Sequence, residues 1–226
     1  MGTPATETFK MSAKYCTDQC NTIIMHRLVH NVGMVRPRQF DEKEVRIAAL
    51  QIFLRNGYAS TSLSDLEEAT GIGRRSLYNS FGDKRTVFLR ALEDFRATAV
   101  EQNLAPLEES GAGLDAIATV FNRLLKLAET PEGRLGCLMC NTSREPIATD
   151  KAVAEQITHY FSRVEQGFAN VLTTAQKNGT LPIDENVTGL SHFYLGILVS
   201  ISVMGRAGVP LKTLQDIVSE ALKRIM

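Results

Sequence analysis

Residues 60–84, STSLSDLEEATGIGRRSLYNSFGDK, constrain this chain more than any other stretch. Two short helical runs flank a turn, TGIG, too brief to leave them independent. In the first run Leu63, Leu66 and Ala69 recur at helical spacing, with Thr61 or Ser62 as N-cap. In the second, Leu77 and Phe81 lie four apart and share one face, while Arg75, Ser76, Tyr78 and Asn79 project elsewhere. A helix held to a core by two side chains presents the rest of its surface to something polar. Its own N-terminus begins after Gly73, so its cap must come from backbone or from Thr70. Gly82 ends it, and Asp83 caps the next helix.

Upstream, Val45, Ala48, Ala49, Ile52 and Phe53 form an apolar stripe that opens at Asp41, with Glu44 three residues on, and closes at Gly57. Helix, short helix, tight turn and polar-faced helix make a helix-turn-helix, the unit whose last helix enters the DNA major groove. Downstream, Val87, Phe88, Ala91, Leu92 and Phe95 predict a fourth helix, and the stripe Ile117, Val120, Phe121, Leu124 and Leu125 predicts another over 114–128. A loop with one or two helical turns is expected at 131–146. Helices are expected over 150–177, 186–206 and 211–225. No segment alternates as a strand does, so the fold class is all-α. The expected organisation is a disordered extension at 1–35, a DNA-binding domain at 36–86 and a larger helical domain at 87–226.

With 44% hydrophobic and 22% charged residues, the composition is that of an ordinary globular protein. The net charge of zero is unevenly spread: residues 36–90 hold 10 Lys+Arg against 7 Asp+Glu, and residues 91–226 hold 12 against 16. A mildly basic segment ahead of an acidic body fits a small nucleic-acid footprint. No run of about 18 uncharged apolar residues indicates a membrane span, and no signal peptide is evident. The expected location is cytoplasmic, with thiols reduced. Cys16, Cys20, His26 and His30 offer four zinc ligands, but the gap of five residues between Cys20 and His26 is too short for the common finger, and no metal or cofactor is expected. An enzyme could use Cys137 or Cys140 as nucleophile with His159 or His192 as base, but nothing in the sequence fixes those groups near one another; catalysis is not expected.

The segment GYASTSLSDLEEATGIGRRSLYNSFGDKRTVFLRAL, residues 57–92, resembles the tetracycline-repressor-like (TetR) family of bacterial transcriptional regulators. Tyr58, Thr61, Ser62, Ala69, Gly71, Ile72, Leu77, Tyr78, Phe81 and Lys84 stand at the family's motif positions, and continuous matching covers residues 41–92. GCLMCNTSRE, from Gly136, is similar to a Gly-Cys-Leu segment in one branch. Two departures stand out: Gly73 replaces a common capping Ser, and Arg75 replaces a common Gly. The resemblance implies a homodimer that binds a palindromic double-stranded operator and releases it when a small-molecule effector binds.

On this reading Thr61, Ser62 and the amides at the start of the second helix meet one phosphate, Tyr78 and Lys84 others, and Arg74 a phosphate at the groove edge. Arg75 is the candidate for a bidentate guanine contact and Asn79 for a neighbouring base, with Ser76 beside them. Phe121, Cys137, Met139, Tyr160, Phe161 and Phe193 are expected to wall a largely apolar effector pocket, with His159 or His192 as a polar anchor. Phe193, Ile197, Ile201, Leu214, Val218 and Leu222 are expected in the dimer interface. A rival trigger is oxidation or electrophile capture at Cys137 and Cys140; non-covalent binding is the preferred reading.

Overall fold

The computed structural model describes residues 41–225, which are helical with no strand among them. The extension at 1–35 and its zinc-like quartet lie outside the described residues.

Asp41 caps the first helix, α1 (Glu42–Ser60), through the Lys43 amide at 2.8 Å, and Val45, Ala49 and Phe53 point into the core. The helix does not stop at Gly57. It breaks there, at φ +79° and ψ 172°, and resumes to Ser60. Ser62 then opens α2 (Leu63–Thr70) with a reciprocal cap: its hydroxyl accepts from the Asp65 amide, and the Asp65 carboxylate accepts from the Ser62 amide. Gly71, at φ +68°, ends α2, and α3 (Arg74–Phe81) is seated by Leu77 and Phe81. Asp83 caps α4 (Lys84–Ala99) through the Thr86 amide at 2.7 Å. Phe88 of α4 packs edge-on against Phe53 at 4.9 Å and against Tyr58 at 4.8 Å, joining α4 to α1.

Beyond Ala99 the chain widens into a π-helical turn, Val100–Leu104, then a short 3₁₀ turn. Four longer helices and one short one complete the fold: α5 (Leu114–Glu129), the short α6 (Leu138–Thr142), α7 (Lys151–Lys177), α8 (Val187–Arg206) and α9 (Leu211–Leu222). Their common core holds Phe121, Phe168 and Tyr194 with ring centroids 5.7–5.9 Å apart, and the Tyr194 hydroxyl donates to the Ala221 carbonyl at 3.1 Å. By length and composition α8 could cross a bilayer, but Leu190, Tyr194, Leu198 and Ile201 bury one side of it in this core. Its other side carries Phe193, 39% exposed, the exposed Gly196 and the half-buried Ile197.

This arrangement corrects part of the expected dimer set. Ile201, Leu214 and Val218 are buried inside the protomer, because α9 turns its apolar stripe onto α5 and α8. Only Phe193, Ile197 and Leu222 stay at or near the surface.

Three polar ties connect the helix-turn-helix to the remaining helices. Glu145 accepts from the amides of Tyr58 at 3.1 Å and Ala59 at 2.8 Å, just past the Gly57 break. Arg85 donates twice to Asp150, at 2.7 and 2.8 Å, which links the start of α4 to the N-cap of α7. Arg206, at the end of α8, donates to the carbonyls of Leu54 at 3.0 Å, Arg55 at 3.1 Å and Leu135.

Candidate nucleic-acid interface and effector cavity

Seven of the eight residues of α3 fall into two sets, with Ser80 half-buried between them. Leu77 and Phe81 are buried, whereas Arg74, Arg75, Ser76, Tyr78 and Asn79 are exposed. The Thr70 hydroxyl donates back to Leu66, so it does not cap α3, and Gly73 offers no side chain for that purpose. The amides of Ser76 and Leu77 close onto the Gly73 carbonyl, which leaves those of Arg74 and Arg75 outside the helical ladder at the positive end of the dipole. With no acidic residue in its first turn, this end of α3 is suited to anions.

The side chains expected around α3 fare unequally. Thr61 is fully buried and its hydroxyl donates to the Gly57 carbonyl at 2.6 Å, so it cannot meet a phosphate; it braces the break in α1 instead. Ser62 is exposed, but its hydroxyl and amide are engaged by the cap with Asp65. Tyr78 is 38% exposed, and the Arg74 guanidinium lies 5.8 Å from its ring centroid. Lys84 sits over the Tyr58 ring with its ammonium 4.3 Å from the centroid, and burial lowers its pKa against the pull of Glu145 and Asp65. With one side of the ammonium on the ring, its outward N–H donors are the ones open to a phosphate.

A partly enclosed cavity of about 210 Å³ lies between the end of α4, its π-helical turn, α5, α7 and α8. Cys137 and Tyr160 line it, as expected. Phe121 and Met139 do not; both are fully buried core. Phe161 lines a separate, open groove with Cys140, Arg144 and His192, and Phe193 stands on the outer face of α8. Neither histidine anchors the cavity: His159 is bonded to Arg96 at 2.7 Å and His192 to Glu165 at 3.1 Å. The wall that sequence reasoning missed comes largely from α4 and its extension, through Phe95, Thr98, Ala99 and Gln102. Their i, i+3, i+4, i+7 spacing, with polar Thr98 and Gln102 inside an otherwise apolar row, was the available signal. Leu54 of α1 also lines the cavity, so its wall includes a residue of the helix-turn-helix.

Burial and charge divide the two thiols. Burial opposes ionisation of Cys137, but the Cys140 thiol, the amides of Cys140 and Met139 and the Tyr160 hydroxyl together hold its pKa below the ordinary thiol value. Cys140 is pushed far up by its pairing with Cys137 and by burial. Burial likewise raises Tyr160, which keeps its proton. Among the described residues no group of three or more His, Cys, Asp or Glu is placed to hold a metal ion.

Comparisons with known proteins agree with this architecture. The family described as "Bacterial regulatory proteins, tetR family" matches residues 47–91, and "Tetracyclin repressor-like, C-terminal domain" matches residues 113–209. The chain is 28% identical over 190 residues to the uncharacterized HTH-type transcriptional regulator YezE of Bacillus subtilis (strain 168), covering 84% of this chain and 98% of that protein. It is 29% identical over 192 residues to the HTH-type transcriptional repressor ComR of Escherichia coli (strain K12), covering 83% and 90%. Among solved structures, the TetR family regulator CifR, as a cysteine mutant complexed with 26 bp double-strand operator DNA, superposes with a TM-score of 0.76 at 26% identity, over 83% of this chain and 98% of that one. The motif, the fold and both halves of the family match lead to one conclusion: the chain belongs to the TetR family of bacterial helix-turn-helix transcriptional regulators.

Proposed function

We propose that this protein is a repressor that binds a palindromic operator as a homodimer and releases it when a small, largely apolar effector enters the cavity. The observation that carries the reading is α3, where two buried anchors hold five exposed polar or basic side chains on a rigid element. Arg75 has the reach and planar fork for guanine O6 and N7, Asn79 serves a neighbouring base, and Arg74 and Tyr78 serve phosphates. One protomer offers one recognition helix, so two half-sites require a two-fold partner. The outer face of α8 supports that partner: Phe193 and Ile197 are apolar, and Gly196, with open space beyond it, permits close helix approach.

The cavity supports the effector half of the reading. Its wall is mostly apolar and contains no Lys, Arg or His, which disfavours carboxylate and phosphate ligands. An apolar cavity of about 150 Å³ holds benzene, so one of about 210 Å³ suits a monocyclic or short acyclic molecule. Leu54 lies in the wall while its carbonyl accepts from Arg206, so a ligand that bulges the wall acts where α1 is fastened. Release requires only that the ligand prefer the DNA-free conformation by a few kcal/mol.

Selection of tight-binding duplexes from a random pool, followed by retention assays at several salt concentrations, tests the DNA half. Arg75→Ala should cost roughly 1–3 kcal/mol and relax preference at one base pair per half-site. Binding that is unchanged in both affinity and sequence preference would remove α3 as the reading helix.

A further inference from the structure

The polar side chains of the cavity wall are concentrated where it meets solvent. Thr98 of α4, Gln102 of the π-helical turn and Glu132 of the turn after α5 are exposed, and Asn103 is half-buried. The rest of the wall is largely apolar, with Phe95, Leu124, Leu198 and Ile201, and with buried Tyr160, whose ring centroid lies 6.4 Å from that of Phe95. Among the described residues, none of the four polar side chains has a hydrogen-bond or ion-pair partner. All four can accept a hydrogen bond, and the Glu132 carboxylate can only accept. The wall has no Lys, Arg or Trp, the side chains that only donate. Arg123 and Arg206 hydrogen-bond the carbonyls of the wall residues Gln102 and Leu54, at 2.9 and 3.0 Å, but neither lines the cavity. The position of Glu132 is set by the main chain next to it. Gly133 packs on the last turn of α5 with no room for a Cβ beside the Leu127 carbonyl, and its amide donates to Thr130 Oγ1 at 3.0 Å. Glu132 therefore sits at the C-terminal end of α5, where the helix dipole adds partial negative charge. Lys126, the basic residue of that last turn, is exposed and outside the wall.

We propose that the cavity selects small primary amines with one apolar body, and that Glu132 is the residue that sets this preference. An ammonium brings three donors and no acceptor. The Glu132 carboxylate takes one donor in a charge-assisted bond, and the side-chain carbonyl oxygens of Gln102 and Asn103 belong to the same wall for the others. The apolar body then lies against Phe95, Tyr160 and the leucines. A carboxylate would meet the like charge of Glu132 with no cation in the wall to offset it. An alcohol of the same shape fits but forgoes the charge. A second ammonium on the ligand would be left unpaired among apolar side chains. Because Glu132 is exposed, water and salt screen the pair, so discrimination of about tenfold is the expected scale. The regulatory consequence, operator release by such an amine, rests on the effector-site reading above; the binding preference does not.

The test titrates the full chain by calorimetry with 2-phenylethylamine, 2-phenylethanol and phenylacetate, which share a ring and a short arm and differ in the charge of the head. Retention of the selected duplex is followed alongside. At neutral pH and low salt the amine should bind at least about tenfold tighter than the alcohol, and the carboxylate more weakly than either. Raising the salt to about 0.5 M should shrink the amine's advantage and leave the alcohol unchanged. Glu132→Gln, at an exposed residue whose side chain has no partner, should erase the advantage without weakening the alcohol. Ala99→Phe, which fills the cavity, should exclude both. An amine bound no tighter than the alcohol, a preference that survives Glu132→Gln, or amine binding that survives Ala99→Phe would overturn the proposal. If amine and alcohol bind and release DNA equally, the amine preference falls and the effector site stands. If the amine binds through Glu132 while DNA stays bound, the preference stands and the effector-site reading falls.

Discussion

Replacing Gly57 with alanine should damage this protein through two separable effects. The first is conformational: φ +79° with ψ 172° is a region open essentially to glycine, and holding an L-residue there costs about 1–3 kcal/mol. The second is steric and electrostatic. A Cβ at Gly57 would lie 2.7 Å from Glu145 Oε1, so the carboxylate must swing away and leave the Tyr58 and Ala59 amides. Those charge-assisted bonds are half-exposed and water replaces them in part, so their joint loss amounts to about 1–2 kcal/mol. The total, roughly 2–5 kcal/mol, should lower the melting temperature by about 4–20 °C for a chain of this length. A double-mutant cycle separates the effects. In a Glu145→Ala background the steric part is absent, and Gly57→Ala should cost only the conformational part, about 1–3 kcal/mol. The assay is thermal and urea unfolding followed by far-ultraviolet circular dichroism, at one protomer concentration throughout because association shifts apparent stability. If Gly57→Ala costs the same in both backgrounds to within about 0.5 kcal/mol, Glu145 does not lie against Gly57 and the described tie is wrong.

Two further outcomes are expected. The Asp150 carboxyl is held down to about 2, first by Arg85 and then by the amides it caps, so its contribution is complete above the unfolded value of about 3.9 and is lost as pH falls through about 2. Asp150→Asn should therefore be less stable than the native chain near neutrality, with the gap closing between those values in acid unfolding titrations; a gap independent of pH would refute the ion pair's role. Ile197→Asp should convert a dimer to a folded monomer in light scattering and reduce affinity for the full palindrome far more than for a single half-site. An unchanged mass would place the interface elsewhere.

How much of the molecule was legible in its sequence depends on the range of the interactions. The face of α3 depends on neighbours three and four residues away, so Leu77, Phe81 and the exposed Arg75 and Asn79 can be read from spacing alone. The caps at Asp41, Asp83 and Asp150 are equally local. The cavity is not. Phe121 and Tyr160 are both large apolar positions at helical spacing, and hydropathy carries no record of which one leaves a gap beside it. The π-helical turn after α4, which adds Asn103 and Leu104 to the wall, has no distinct composition. Apolar stripes on α8 and α9 similarly do not say whether a residue meets its own core or a partner, and for Ile201, Leu214 and Val218 the core wins. Glu145 and Arg206 went unnoticed because each binds main-chain atoms far away in sequence, a contact with no partner residue type to search for.

That last property has an evolutionary side. Arg206 gives all three of its contacts to carbonyl groups, and a carbonyl is the same whatever residue carries it. Drift at Leu54, Arg55 or Leu135 can therefore alter the shape and chemistry beside the cavity while the guanidinium keeps its hold, whereas change at position 206 removes the hold at once. Lysine is no substitute, since a single ammonium cannot span the two ends of the planar fork. A lineage descended from this chain is thus free to reshape the cavity without redesigning the fastening between that cavity and the helix-turn-helix.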